Sequence, residues 1–306
     1  MNADFFVPLL AAAIQSGTPI LYATLGEILT ERSGILNLGV EGIMIVGALA
    51  AFLTAKFTGS PMFGFLAGGF FGAVLAGIHG LVCLGFRGNQ VVSGLALTIL
   101  GTGLANYLGT PYVGQATPGF KAVALPLLSE IPLVGPILFH HDPLVYTSYL
   151  IPPVLWVYLR YTRWGLGLRS VGEYPEAAQA AGLPVRGYRW IGVLGGGWLM
   201  GFGGAYLSLA YTHLWTNGLT AGRGWIAVAL VIFSFWRPWR AMLGAYLFGG
   251  VMAFQFRLQA SGTHLPSSLL LMLPYGLTIA VLVFSSWKGR GDEAPAALGV
   301  NIEPAE

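Results

Sequence analysis

Long apolar runs, broken by short polar or Pro- and Gly-containing stretches, set the pattern of this chain. Breaks in hydropathy mark apolar segments at 5–29, 36–55, 62–86, 89–110, 143–159, 190–211, 223–236, 240–257 and 267–287. Residues 5–26, 88–120, 190–222 and 258–287 carry no Asp, Glu, Lys or Arg at all. A helix of about 20 apolar residues, rising about 1.5 Å per residue, crosses the hydrocarbon layer of a bilayer. Most of these segments reach that length, while 223–236 is too short to cross by itself. The pattern predicts an all-α polytopic membrane protein with about 8–10 transmembrane helices. Residues 1–287 form the transmembrane domain in this reading, and 288–306 a C-terminal tail.

Composition reinforces that reading. Of the 306 residues 55% are hydrophobic and 9% charged, against roughly 25% charged in a soluble domain. A soluble fold could not dress its surface with so few charges. The 45 glycines suit helices that approach closely in lipid, where no hydrophobic effect drives them together. Cys83 is the single cysteine, a small packing residue, so intrachain disulfides and Cys-based metal sites are excluded. The net charge of +3 marks span ends rather than a nucleic-acid patch. The N-terminus carries Asp4 and no basic region before its first apolar run, so no cleavable signal peptide is expected.

Arginine placement gives an orientation, because Lys and Arg collect in short cytoplasmic loops. Arg160, Arg163, Arg169, Arg186 and Arg189 crowd the connection between the fifth and sixth segments, which is therefore placed inside. Alternate counting adds Arg32, Arg87, Arg237, Arg240, Lys288 and Arg290 to that side. Lys56, Lys121, Arg223 and Arg257 fall at outer ends or in outer loops. The expectation is an external N-terminus, a cytoplasmic C-terminus and a large outer loop at 111–142, in the inner (cytoplasmic) membrane.

An internal echo accompanies this topology. Gly39-Val40-Glu41-Gly42 opens one apolar run and Gly222-Arg223-Gly224 opens another, each followed by a second Gly-rich run, around Gly64–Gly77 and Gly244–Gly250. The first pair runs out and then in, the second in and then out. Inverted repeats of this kind recur in transport proteins, with the substrate path between the halves; Gly-rich membrane helices that merely look alike are the other reading.

The polar stretch Gly172-Glu173-Tyr174-Pro175-Glu176-Ala177-Ala178-Gln179-Ala180-Ala181-Gly182 reads as a short helix in the basic connection. Pro175 suits a first turn, Glu173 and Glu176 favour the positive helix end, the alanines favour its interior, and Gly182 can take the left-handed conformation that stops it. A rigid two-turn helix outside the membrane is shaped to fill a groove on another protein, and small alanines such as Ala178 would allow close approach. An ordinary interfacial helix between two spans is the alternative.

Four ordered motifs carry a family resemblance: Glu31-Arg32-Ser33-Gly34-Ile35-Leu36-Asn37-Leu38-Gly39-Val40-Glu41-Gly42-Ile43-Met44, Gly88-Asn89-Gln90-Val91-Val92-Ser93-Gly94-Leu95-Ala96-Leu97, the Glu173–Gly182 connection with its following Leu183, and Ala221-Gly222-Arg223-Gly224-Trp225-Ile226-Ala227. Over about residues 20–285 the chain resembles permease subunits of ABC importers of the branched-chain amino acid, ribose and nucleoside group, within it the nucleoside or simple-sugar permeases. The resemblance implies a type II importer-like fold and a coupling helix at 173–182 that docks on an ATPase. It also implies two cytoplasmic nucleotide-binding domains, a second, similar permease subunit, an external substrate-binding lipoprotein, and a nucleoside or sugar as substrate. The family's second motif often carries Asn where this chain has Thr98.

The chain has no Gly-Lys pair and so no phosphate-cradling loop for ATP. It is expected not to be an enzyme, and no cofactor is implied. His140-His141 beside Asp142 could hold a metal but reads more simply as a solvated turn, and His79, His213 and His264 stand alone. No metal site is assigned.

Polar groups placed in or at the edges of apolar runs are path candidates: Asn37, Glu41, Asn89, Gln90, Ser93, Thr98 and Asn106. On a helix Asn37 and Glu41 would share a face, as would Asn89 and Ser93. Their amides and hydroxyls could bond the hydroxyls and base edges of a neutral nucleoside. Helix–helix hydrogen bonds are the rival role, and for Glu41 a pairing with Arg32 or with a helix N-terminus. An ion- or proton-coupled secondary transporter or a channel would also be polytopic, but would not need the short Pro-Glu-Ala-Ala helix.

Overall fold

A computed structural model describes residues 3–262, 266, 269–270, 272–287 and 294–301. Lys288, Arg290 and His264 lie outside the described residues. The helices are α1 (Ala3–Glu31), α2 (Val40–Thr58), α3 (Pro61–Gly80), α4 (Gln90–Gly109), α5 (Val134–Leu138), α6 (Pro143–Tyr161), α7 (Arg163–Glu173), α8 (Pro175–Ala180), α9 (Val185–Tyr206), α10 (Arg223–Ser234), α11 (Pro238–Ala260) and α12 (Leu273–Trp287). Wider π turns extend α3 over Leu81–Gly85 and α9 over Leu207–Tyr211. Among the described residues six helical stretches are long and apolar enough to cross a membrane: Phe5–Glu31, Val40–Thr58, Pro61–Gly85, Gln90–Tyr112, Val185–Tyr211 and Pro238–Ala260. α10, at 12 residues, is the short segment the hydropathy pattern predicts.

Local chemistry sets the helix ends. α2 stops at Gly59, whose left-handed backbone (φ 74°) lets its N–H reach Ala55 O. Ser60 then caps α3 in front of Pro61, and the Asp142 carboxylate accepts from the amides of Leu144 and Val145 to start α6. Phe70, Phe71, Val74, Ile99 and Leu100 stay exposed on α3 and α4, as lipid-facing positions do.

The packing is that of an inverted repeat. α1 lies along α9 at the centre; α3 packs on α9, and α11 packs on α1. Exchanging α1–α4 for α9–α12 maps these contacts onto themselves, with α2 on α9 matching α10 on α1, and α2 on α4 matching α10 on α12. Both outer crossings are close. A Cβ on Gly249 of α11 would lie 2.4 Å from Gly17 N of α1, and one on Gly201 of α9 would lie 2.3 Å from Gly68 O of α3. The Gly-rich echo thus reflects backbone-to-backbone crossings at equivalent places.

The basic residues gather at one end. Arg32, Arg160, Arg169, Arg237 and Arg240 border one cavity there, and Arg87 and Arg189 are tied to the C-terminal segment 294–301. The first turns of α1 lie at the opposite end, where the Arg257 guanidinium sits over the Phe5 ring at 4.6 Å. Arg223 departs from its expected outer position: it is 5% exposed, donates to Thr220 O at 3.2 Å and faces the Tyr211 ring. The loop at 111–142 carries α5 and a two-stranded antiparallel pair, Val123–Ala124 with His140–His141.

Candidate functional site

Two irregular, non-helical stretches enter the bundle from opposite ends and stop inside it. Residues 35–39 climb from the end of α1 along α4: Leu36 N donates to Gln90 Oε1 at 2.8 Å, and Thr98 Oγ1 donates to Leu38 O at 2.9 Å. Helix α2 starts at that level, with Gly42 packed on Leu97 and Gly101 of α4. From the other end residues 212–222 descend past Asn106, whose Oδ1 accepts from Gly218 N at 3.2 Å, and α10 starts where they stop. α2 and the short α10 therefore both start inside the fold, where their N-termini meet; helix starts inside the membrane bind solutes near its centre in repeat-built transporters.

Glu41 joins them. Its carboxylate accepts from Thr220 Oγ1 (2.6 Å), Gly222 N (2.9 Å) and Gly224 N (2.6 Å), capping α10 from the first turn of α2. Of the two partners left open by the sequence, the helix N-terminus is the one observed. A Cβ on Gly224 would lie 2.5 Å from Glu41 Cα, so only glycine lets the two starts approach this closely.

The other candidates divide. Asn37 is buried but precedes α2 and does not share a helix face with Glu41, because residues 35–39 are irregular rather than helical; its N–H donates to Glu27 Oε1 and its Oδ1 accepts from Gly39 N. Its Nδ2 is buried without a hydrogen-bond partner. Asn89 caps α4 at the basic end, accepting from Val92 N, and is exposed rather than inside. Gln90 is buried and bridges Leu36 N and Asn301 Oδ1. Ser93 meets His79 Nδ1 at 3.0 Å, and His79 Nε2 meets Leu36 O at 3.0 Å. Asn37, Glu41, Gln90, Ser93, Thr98 and Asn106 thus follow one seam, formed by the two irregular stretches, α2 and α4.

An acidic pair that hydropathy alone does not single out lies on the same seam. Glu27 and Glu31 stand four apart on α1, both buried; Trp236 Nε1 donates to Glu31 Oε2. Their spacing inside a helical run was the available signal.

At the basic end, the stretch at 173–182 is two pieces. Glu173 closes α7, Tyr174 breaks the helix, and α8 runs from Pro175 to Ala180, ended by Ala181 and a left-handed Gly182 (φ 83°). Tyr174, Glu176, Ala177, Ala181 and Gly182 are exposed and Pro175 is partly so. Ala178 is 4% exposed and packs inward on this chain's own core. It supports α8 from beneath rather than presenting a surface. Arg32 Nη1 lies 3.7 Å from Glu173 Oε1, and Glu173 Oε2 accepts from Ala296 N at 3.1 Å.

His141 is not in a solvated turn. It is buried, with Nε2 against Ile137 O at 2.7 Å. Burial lowers its imidazole pKa, and burial raises that of the Asp142 carboxyl against the amide bonds from Val145 and Leu144. Among the described residues no three His, Cys, Asp or Glu side chains converge as a metal site.

Comparison with known proteins agrees with this architecture. Residues 9–282 match the profile of the branched-chain amino acid transport system / permease component family. A putative glucose ABC transporter permease protein of Haloferax volcanii is 43% identical over 261 residues, covering 84% of this chain and 79% of its own length. A nucleoside ABC transporter permease protein of Lactococcus lactis subsp. cremoris is 35% identical over 300 residues, 93% of each chain. A guanosine ABC transporter permease protein of Bacillus subtilis is 33% identical over 305 residues, 94% of each chain. The chain belongs to this permease family and is a multi-pass membrane subunit of an ABC transport system.

Proposed function

We propose that this member of the branched-chain amino acid transport permease family forms the path by which an ATP-driven importer moves a small neutral polar solute, a nucleoside, across the cytoplasmic membrane. One observation carries the reading: α2 and α10 start inside the fold and meet N-terminus to N-terminus at Glu41, on a seam that carries the uncharged Asn37, Gln90, Ser93, Thr98 and Asn106 beside the buried Glu27 and Glu31. Amides and hydroxyls of this kind suit sugar hydroxyls and base edges, and two relatives named for nucleoside or guanosine transport align over nearly the whole chain. The relative named for glucose supports a second reading, a simple sugar.

In this reading the basic end faces the cytoplasm, and the exposed face of α8 with Tyr174 docks on the ATPase. ATP is hydrolysed by that partner, since the chain has no Gly-Lys phosphate loop. A similar second permease chain and an external substrate-binding lipoprotein complete the importer. Uptake of labelled guanosine, uridine and glucose by cells carrying the whole transporter tests the substrate. Guanosine or uridine uptake abolished by unlabelled nucleosides and unaffected by glucose is the expected result; the reverse pattern assigns a sugar. Uptake that survives loss of the ATPase would remove the ABC role in favour of an ion-coupled carrier.

A further inference from the structure

A cavity of about 510 Å³ opens at the basic end, between the last turns of α6, helix α7, the end of α1 and the α10–α11 connection. Its walls hold Arg32, Arg160, Arg169, Arg237 and Arg240 together with Trp156, Trp236 and Trp239, and among the described residues no acidic residue is in the lining. Arg32 is met by Glu173 at 3.7 Å; Arg160, Arg169 and Arg240 bring three further positive charges together, and like charges repel. An anion relieves that repulsion, and the planar guanidinium fork matches phosphate oxygens in particular. Arg169 also keeps a buried Nε–H with no hydrogen-bond partner.

The surroundings say which kind of phosphate. Trp239 is 46% exposed and Leu243, one turn further along α11, is 72% exposed. Tyr161, the last residue of α6, and Trp164, in the first turn of α7, are also largely exposed. Tryptophan and tyrosine collect at the level of lipid headgroups, so this cavity opens beside acyl chains as well as water. We propose that it is a phosphate-binding site for the headgroup of an anionic phospholipid, with the acyl chains lying along α6 and α11. Basic pockets between membrane helices on the cytoplasmic side are suited to such headgroups. Because Arg169 stands on α7 and Arg32 faces Glu173 immediately before α8, an occupied cavity braces the helices that carry the coupling surface.

The test uses the permease purified with its partner subunits and placed in nanodiscs of phosphatidylcholine, with or without phosphatidylglycerol. The variants are Arg160→Gln with Arg240→Gln, and Arg160→Lys with Arg240→Lys; Arg240→Gln alone serves if the double variant melts early. Native mass spectrometry after delipidation is expected to find phosphatidylglycerol held by the native complex and lost roughly tenfold from the Gln variant, with partial retention in the Lys variant. Inorganic phosphate is the second probe. If it binds the native complex, and not the Gln variant, while lipid retention is equal in both, the phosphate site stands and its occupant is a soluble phosphate. Equal binding of both probes to native and Gln complexes overturns the proposal. So does a Gln variant that sheds the ATPase with lipid and phosphate binding unchanged, which would make the cavity a protein-docking surface.

Discussion

Glu41 and Gly224, 183 positions apart, are joined by a 2.6 Å hydrogen bond from the Gly224 amide to the Glu41 carboxylate. The bond ties the start of α2 to the start of α10 and so fastens one repeat to the other at the level where both helices are interrupted. A partly buried carboxylate with three donors is the cheapest way to satisfy amides that the α10 turn leaves open.

Replacing Glu41 tests that fastening. Glu41→Ala leaves Thr220, Gly222 and Gly224 without their acceptor, at about 1–3 kcal/mol for each group that stays buried. The complex is expected to assemble with a lowered melting temperature and reduced uptake. Glu41→Gln keeps one acceptor oxygen and should lose less of both. Normal uptake affinity in Glu41→Ala would leave Glu41 a purely structural cap.

Two arginine substitutions on α8 should behave differently. Ala177 and Ala181 are exposed, so Ala181→Arg is expected to preserve the melting temperature while the ATPase no longer co-purifies. Ala178 packs inward, and a buried guanidinium there should cost about 3–5 kcal/mol and disturb α8 itself. A pull-down and a thermal melt on the two variants separate the effects. Unchanged ATPase binding in Ala181→Arg would remove this face from coupling.

Removing residues 294–306 should loosen the basic end. Arg189 Nη1 donates to Val300 O, Gly299 N to Gly34 O, Ala297 N to Gly172 O, and Asn301 bonds both Gln90 and the Arg87 carbonyl. At about 0.5–1.5 kcal/mol for each bond, the truncated permease is expected to melt several degrees lower. Arg189 is 1% exposed and would lose a carbonyl partner. An unchanged melt would mean that these bonds are matched by water in the truncated chain.

Orientation can be read by labelling. Glu130 in the long loop and Ala181 after α8 are both exposed, and native Cys83 is buried. An impermeant maleimide is expected to label Glu130→Cys from outside intact cells, and Ala181→Cys only after they are opened. The opposite result would place the basic end outside.

The sequence alone determined the elements and their environment. Charge-free runs of sufficient length can satisfy their backbone polar groups in lipid only as helices, so the spans were legible to within a few residues, including the short α10 and the stop at Gly182. The echo of Gly39–Gly42 in Gly222–Gly224 likewise announced the repeat, because close helix crossings demand small side chains wherever they occur. Tertiary structure decided what the polar residues touch. Asn37 and Glu41 are four apart, which on a helix means one face, yet residues 35–39 are held out of the helix by Gln90 and Thr98 of α4. Arg223 reads as a span-end cation and lies buried instead, because α10 begins inside the fold. Ala178 is chemically identical to Ala177, and only the packing of α8 turns one inward and the other out. Such facts depend on partners far along the chain, 54 and 60 residues away for the Leu36–Gln90 and Leu38–Thr98 bonds, and no local periodicity encodes them.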